Sequence, residues 1–229
     1  MSKTIMVVGF GPGTATAVAE KFGKEGFSVA LVGRNENRLA AGVSALKAQG
    51  ITAFAFPAEA GDPASIRAAV KTARSQVGPI TVLHWNAYGG LEIGDLFGGD
   101  QAALHRVFDV AVFGLLAAAE EALPDLKQGG NGAIMVSNGA LGAISSDLDQ
   151  AAVTSAMMGL ALSSGAKHKL VGLLAQRLKG EGVYVGEVMV YRTIANTPGA
   201  DGGAVDPAVI AEKHWALYQA RGQTRDVVK

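Results

Sequence analysis

The chain of 229 residues contains no cysteine, which excludes disulfides, thiolate metal sites and a cysteine nucleophile. Charge is also scarce. Only 17% of residues are charged, and 20 Lys+Arg balance 20 Asp+Glu, so the net charge is zero. Neither the basic stripe that nucleic acid requires nor a basic cluster for a membrane surface is present. The four histidines, His84, His105, His168 and His214, have no metal-ligand spacing, and no metal is expected. Long apolar runs are missing as well. The opening Met1-Ser2-Lys3-Thr4-Ile5-Met6-Val7-Val8 turns into glycines before it reaches the length of a signal peptide's central region. No stretch is read as approaching the about 20 apolar residues of a membrane span. The expectation is a cytoplasmic protein with no nucleic-acid or membrane partner.

Apolar and small residues are plentiful: 49% of the chain is hydrophobic and 31 residues are glycine. Short apolar runs at 5–8, 29–32, 51–56, 80–83, 133–136 and 183–190 read as strands, with a short edge strand at 226–229. Helical patterns separate them at 14–24, 36–48, 101–126 (bent near Pro124), 150–179 and 207–220. Asp62-Pro63 opens a further helix, with Asp as N-cap and Pro at the first helical position. Its apolar stripe is Ile66, Ala69, Val70, Ala73 and Val77. The alternation predicts one α/β domain over 1–229, with a parallel sheet of about seven strands and helices on both faces. Glycine-rich loops at 89–100 and 194–205 follow strand ends, where such sheets bind ligands.

The strongest motif is Val7-Val8-Gly9-Phe10-Gly11-Pro12-Gly13-Thr14-Ala15, between the first strand and the first helix. Glycines at such a turn allow positive φ and close backbone approach, and the free N–H groups of the helix start favour a pyrophosphate. The second strand ends in Gly33-Arg34-Asn35, with Arg38 one turn on. An acidic residue there would accept from a ribose 2′-hydroxyl; a guanidinium instead suits a 2′-phosphate, so NADP(H) is preferred over NAD(H). The alternative is a solvated Arg34 paired with Glu36.

Together these segments resemble the short-chain dehydrogenase/reductase family. Its Thr-Gly-x-x-x-Gly-x-Gly pattern is met at Gly9 and Gly13, with Val8 for the threonine and Ala15 for the last glycine. Glu59 sits where the family has an aspartate near the adenine, and Trp85-Asn86-Ala87-Tyr88 stands for its Asn-Asn-Ala-Gly. Gly182-Val183-Tyr184-Val185 matches the lead-in to the sixth strand. The resemblance implies a Rossmann-type doubly wound sheet, a homodimer or homotetramer, and hydride transfer between a nicotinamide and a small carbonyl or alcohol. It places Gly9, Gly11, Gly13, Thr14, Arg34, Asn35, Glu59 and Asn86 at the coenzyme.

The family's Asn-Ser-Tyr-Lys catalytic set is not matched. Its asparagine position is Ala111 and its serine position Gly139, with Ser137 and Asn138 close by. No Tyr-x-x-x-Lys occurs in the chain. The ungapped register puts the two positions on Leu160 and Ser164; a shift of three puts them on Ser163 and Lys167, and the spacing from Gly139 implies an insertion near 145–152. The catalytic candidates are therefore Lys167, which would hold the nicotinamide ribose, Ser137 as a substitute for the serine, and Tyr191, after the sixth strand, as the first choice of proton donor, with Tyr88 second. Trp85, Tyr88, Leu91, Leu141, Ile144 and Tyr191 are expected to wall the substrate pocket. Three readings stay open: an oxidoreductase with a non-standard acid/base group, an inactive NADP(H)-binding sensor or partner subunit, and a scaffold that binds no nucleotide.

Overall fold

The structure is a computed structural model that describes residues 3–97, 100–198 and 200–229. Met1 and Ser2, and Gly98, Gly99 and Gly199 of the two glycine-rich loops, lie outside the described residues. Seven strands form one parallel sheet: β1 (Lys3–Val8), β2 (Phe27–Gly33), β3 (Ala53–Pro57), β4 (Ile80–Trp85), β5 (Ala133–Gly139), β6 (Tyr184–Val190) and β7 (Arg225–Val228). Their order is β3-β2-β1-β4-β5-β6-β7, so the chain runs outward from β1 to one edge and then from β4 to the other. The doubly wound α/β fold is as the alternation requires. The crevice at this switch, beyond the strands' C-terminal ends, is where such folds bind ligands.

Among the described residues eight α-helices accompany the sheet: α1 (Thr14–Lys24), α2 (Glu36–Ala48), α3 (Pro63–Gln76), α4 (Gln101–Phe108), α5 (Leu115–Leu126), α6 (Ser146–Thr154), α7 (Met158–Leu178) and α8 (Pro207–Ala220). One core holds α3, α5 and α7 through Ile66, Val70, Leu115, Ala118 and Val171. The other holds α1, α2 and α8 through Val18, Phe22, Leu39, Ile210 and Leu217. Asp62 and Asp206 cap α3 and α8 by accepting from Ala64 N and Ala208 N, each followed by a proline at the start of the helix.

Four expectations need correction. The single helix at 101–126 is broken by a π-helical segment, Asp109–Gly114, and not at Pro124, which lies inside α5. Gly114, at the end of this segment, packs so closely on Ala60 O that a Cβ would stand 1.9 Å from it. Gln101–Leu126 is also long and apolar enough to cross a membrane by length and composition, contrary to the sequence expectation. Here it packs Leu115, Ala118, Ala122 and Leu126 into the core. The helix at 150–179 is two helices, α6 and α7, parted at Ala156 with φ 51°. Trp85 is fully buried in the core, so it walls no pocket.

Candidate functional site

β1 ends at Val8, and the chain turns at Gly9 with φ 82°. The Gly9 and Phe10 amides both donate to Val32 O, at 3.0 and 2.9 Å, which ties the turn to β2. Asn86, just beyond β4, donates from Nδ2 to Gly9 O at 3.2 Å. A Cβ on Gly9 would stand 2.5 Å from Ala87 N, so only glycine lets the two strand ends meet.

Gly13, φ 82°, precedes α1 and offers its amides no side-chain cap. The helix therefore begins with N–H groups lacking a side-chain acceptor and with the positive end of its dipole, an arrangement that suits a diphosphate. The Thr14 hydroxyl oxygen beside them is buried without a hydrogen-bond partner among the described residues. Thr197, in the loop after β6, closes over the turn: its Cγ2 lies 2.6 Å from where a Gly13 Cβ would be. Along the rim, Arg34 Nη1 lies 3.5 Å from Glu59 Oε2. Asn35 caps α2, its Oδ1 accepting from Arg38 N at 2.9 Å. The Arg38 guanidinium leans over Gly11, 3.8 Å from its Cβ position.

Lys167 lies on α7, and its Nζ donates to Ala87 O at 3.3 Å. It is only 2% exposed. Burial pulls its pKa down to about 8, with the Glu187 charge working in the other direction. Because Ala87 packs on Gly9, this desolvated ammonium is one residue away from the glycine turn. One helical turn earlier, the Ser163 hydroxyl is buried with no partner among the described residues.

The structure does not bring Ser137 to Lys167. Alternate residues of a strand face opposite sides of the sheet. Ser137 faces α8, where its Oγ lies 2.9 Å from the Nε2 atoms of both His84 and His214. Asn138 faces α7 instead, and its Nδ2 donates to Ser164 O at 3.0 Å and to Glu187 Oε1 at 2.8 Å. Glu187, wholly buried on β6, also accepts from Arg225 Nε at 3.1 Å, and its Oε2 lies 2.7 Å from His168 Nδ1. This cluster ties β5, β6, β7 and α7 together. The sequence reading did not single out Glu187; a lone glutamate inside an apolar strand was the available signal. Tyr191 follows β6, donating its backbone amide to Val228 O at 2.8 Å. Its side chain is half-exposed, as are Tyr88 and Leu91, and Ile144 is fully exposed.

The sequence family described as short chain dehydrogenase matches residues 3–193. The chain is 31% identical over 134 residues to the ketoacyl reductase HetN of Nostoc sp., covering 58% of this chain and 46% of that one. It is 28% identical over 145 residues to the 3-oxoacyl-[acyl-carrier-protein] reductase FabG of Staphylococcus aureus, covering 63% and 58% respectively. The chain thus spans about half the length of these curated relatives. L-Sorbose reductase from Gluconobacter frateurii, complexed with NADPH and L-sorbose, superposes with a TM-score of 0.85 at 19% identity, over 100% of this chain and 95% of that one. An NADPH-bound short chain oxidoreductase of Pseudomonas aeruginosa PAO1 containing an atypical catalytic center gives 0.84 at 20% identity, over 99% and 95%. At these identities the likeness shows the fold.

Proposed function

The chain belongs to the short-chain dehydrogenase family, and from that premise we propose that it is an NADP(H)-dependent oxidoreductase acting on a small carbonyl compound or the matching alcohol with a non-standard proton donor. The observation that carries this is the meeting of a glycine turn with a buried ammonium: Lys167 Nζ reaches Ala87 O at 3.3 Å, and Ala87 packs on Gly9. When bound, the coenzyme supplies the hydride. Gly9, Gly11, Gly13 and Thr14 would hold its diphosphate, Arg34 its 2′-phosphate, and Asn35 and Glu59 the adenosine end. Asn86 and Lys167 would stand at the nicotinamide end. NADP- or NADPH-bound structures of similar fold support the choice of coenzyme.

Lys167 is the proposed proton donor, because its ammonium is desolvated and close to the turn, and Tyr191 is the second candidate. Ser137 takes no part, being committed to the two histidines on the opposite face. Tyr88, Leu91, Ile144 and Tyr191 offer exposed apolar surface on the loops at the sheet's C-terminal edge, which suits a substrate with apolar flanks. Leu162 and Leu173, exposed on α7, support pairing with a second copy along that helix in a homodimer or homotetramer.

The test is fluorescence titration with NADPH and NADH, followed by NADPH oxidation against ethyl acetoacetate, 2,3-butanedione and benzaldehyde. Tighter binding of NADPH, with turnover of at least one carbonyl, is expected. Binding without turnover across the panel would instead favour a nucleotide sensor or partner subunit, a reading supported by the near-complete burial of Ser163 and Lys167.

A further inference from the structure

Ser164 precedes Lys167 by one helical turn, and three contacts fix its place at the end of β5. Asn138 Nδ2 donates to Ser164 O at 3.0 Å. The turn after β5 presses on its backbone: a Cβ on Gly142 would lie 2.6 Å from Ser164 O. Ser164 Oγ stands over Gly139, 3.9 Å from the position of a Gly139 Cβ and the nearest atom to it. β5 thus ends without a side chain at Gly139, and a hydroxyl from α7 fills the space above it. Next to it, the Ser163 hydroxyl is buried with no partner, and Lys167 has Ala87 O as its one acceptor among the described residues. A buried hydroxyl without a partner at Ser163, and at Lys167 an ammonium with a single backbone acceptor, lie beside Ser164 on one turn of α7, where an oxygen-bearing ligand would complete their hydrogen bonding.

We infer that the Ser164 hydroxyl, held over Gly139, is the donor that seats the carbonyl oxygen of the substrate while Lys167 protonates it. The inference rests on the proposed oxidoreductase reading and names a residue that reading leaves open. When bound, the reduced coenzyme would supply a hydride, with its electron pair, to the carbonyl carbon and so act as the reductant. The C=O π pair would move onto oxygen, and the Lys167 ammonium would pass one proton to that oxygen. The product would be the alcohol, and water would restore the proton to the neutral amine. Ser164 keeps its own proton and lends a hydrogen bond, which strengthens as charge grows on the oxygen.

The test compares Ser164→Ala with Ser164→Ala/Gly139→Ser, using the carbonyl panel for turnover and NADPH fluorescence for binding. Gly139 has φ −93° and ψ 150° and only van der Waals contact at its Cβ position, so serine fits there. Ser164→Ala is expected to lower kcat/KM about 10- to 100-fold with NADPH affinity within about threefold of the parent. Adding Gly139→Ser is expected to recover most of the loss, which a packing role for Ser164 would not predict. Turnover of Ser164→Ala within twofold of the parent overturns the assignment, and so does a loss that Gly139→Ser leaves untouched. A parent chain that binds NADPH and reduces nothing on the panel sinks the oxidoreductase reading, and the assignment with it.

Discussion

Arg34 and Glu59 face each other across the C-terminal ends of β2 and β3, Nη1 to Oε2 at 3.5 Å, with side chains 78% and 46% exposed. An ion pair this exposed adds little to stability. Its importance lies in what the guanidinium does when a 2′-phosphate arrives, since the carboxylate then competes for the same cation. Arg34→Ala is expected to weaken NADPH binding about 10- to 100-fold and leave NADH binding nearly unchanged. Glu59→Gln is expected to tighten NADPH. Titrations of both variants with the two coenzymes check this; an equal loss for NADPH and NADH in Arg34→Ala would remove Arg34 as the selectivity residue.

The lowered pKa of Lys167 sets opposite expectations for rate and stability. Its value of about 8 follows first from burial. If the ammonium gives the proton, kcat for carbonyl reduction is high below pH 8 and falls above it. Lys167→Met should cost about 10²–10⁴-fold in kcat. The folded state gives up this proton near pH 8 and the unfolded state near 10.5, so stability rises with pH between those values. Below pH 8 the buried charge is a liability of roughly 3 kcal/mol. Lys167→Met is therefore expected to raise Tm at pH 7 while lowering kcat, and a lowered Tm would contradict the burial account.

On the other face, Ser137 joins His84 and His214, whose rings meet edge to face with centroids 4.8 Å apart. Burial lowers both pKa values, that of His214 to about 3; for His84 the charges of His214 and Lys167 add to the effect. The unfolded chain takes up these protons near the ordinary value of 6.5, whereas the folded chain resists them. Their contribution is fully present above pH 6.5 and is lost as pH falls toward the folded values. The slope approaches about 1.4 kcal/mol per pH unit for each histidine. Thermal melts from pH 7.5 to 4.5 should show the decline, and His214→Gln should flatten it by about half. An unchanged slope in that variant would place the acid sensitivity elsewhere.

How far the sequence reached depended on whether the signal was local. Asp62-Pro63 and Asp206-Pro207 mark the starts of α3 and α8 because cap and proline act within one turn. The glycine turn was legible for the same reason. Ser137 was placed in the site because β5 is buried on both faces up to Asn138, which hides the alternation that separates Ser137 from Asn138. The π segment ends at Gly114, which packs on Ala60 from far earlier in the chain, and no pattern around Gly114 announces that contact. Ser164 was not singled out from the sequence, where it stood only at the family's lysine position in the ungapped register. Its meeting with Gly139 runs through the Gly142 turn, which presses on the Ser164 backbone.

The junction of α6 and α7 gives the last prediction. Ala156 has φ 51° and ends the first helix, its amide donating to Val153 O at 3.2 Å. A left-handed residue just past a helix end is ordinarily glycine, because a Cβ there crowds the following carbonyl. Alanine costs about 1 kcal/mol more than glycine in this conformation, which outweighs the extra chain entropy glycine loses on folding. Ala156→Gly is therefore expected to raise Tm by about 2–4 °C for a chain of this size. The complementary change, Gly94→Ala, puts a methyl group 3.1 Å from Ala156 Cβ and should lower Tm. In Ala156→Gly that methyl meets no opposing Cβ, so the double variant should lose less than the two single changes combined. Melts of the three variants decide it: strict additivity, or a drop for Ala156→Gly alone, would show that Ala156 is held without strain.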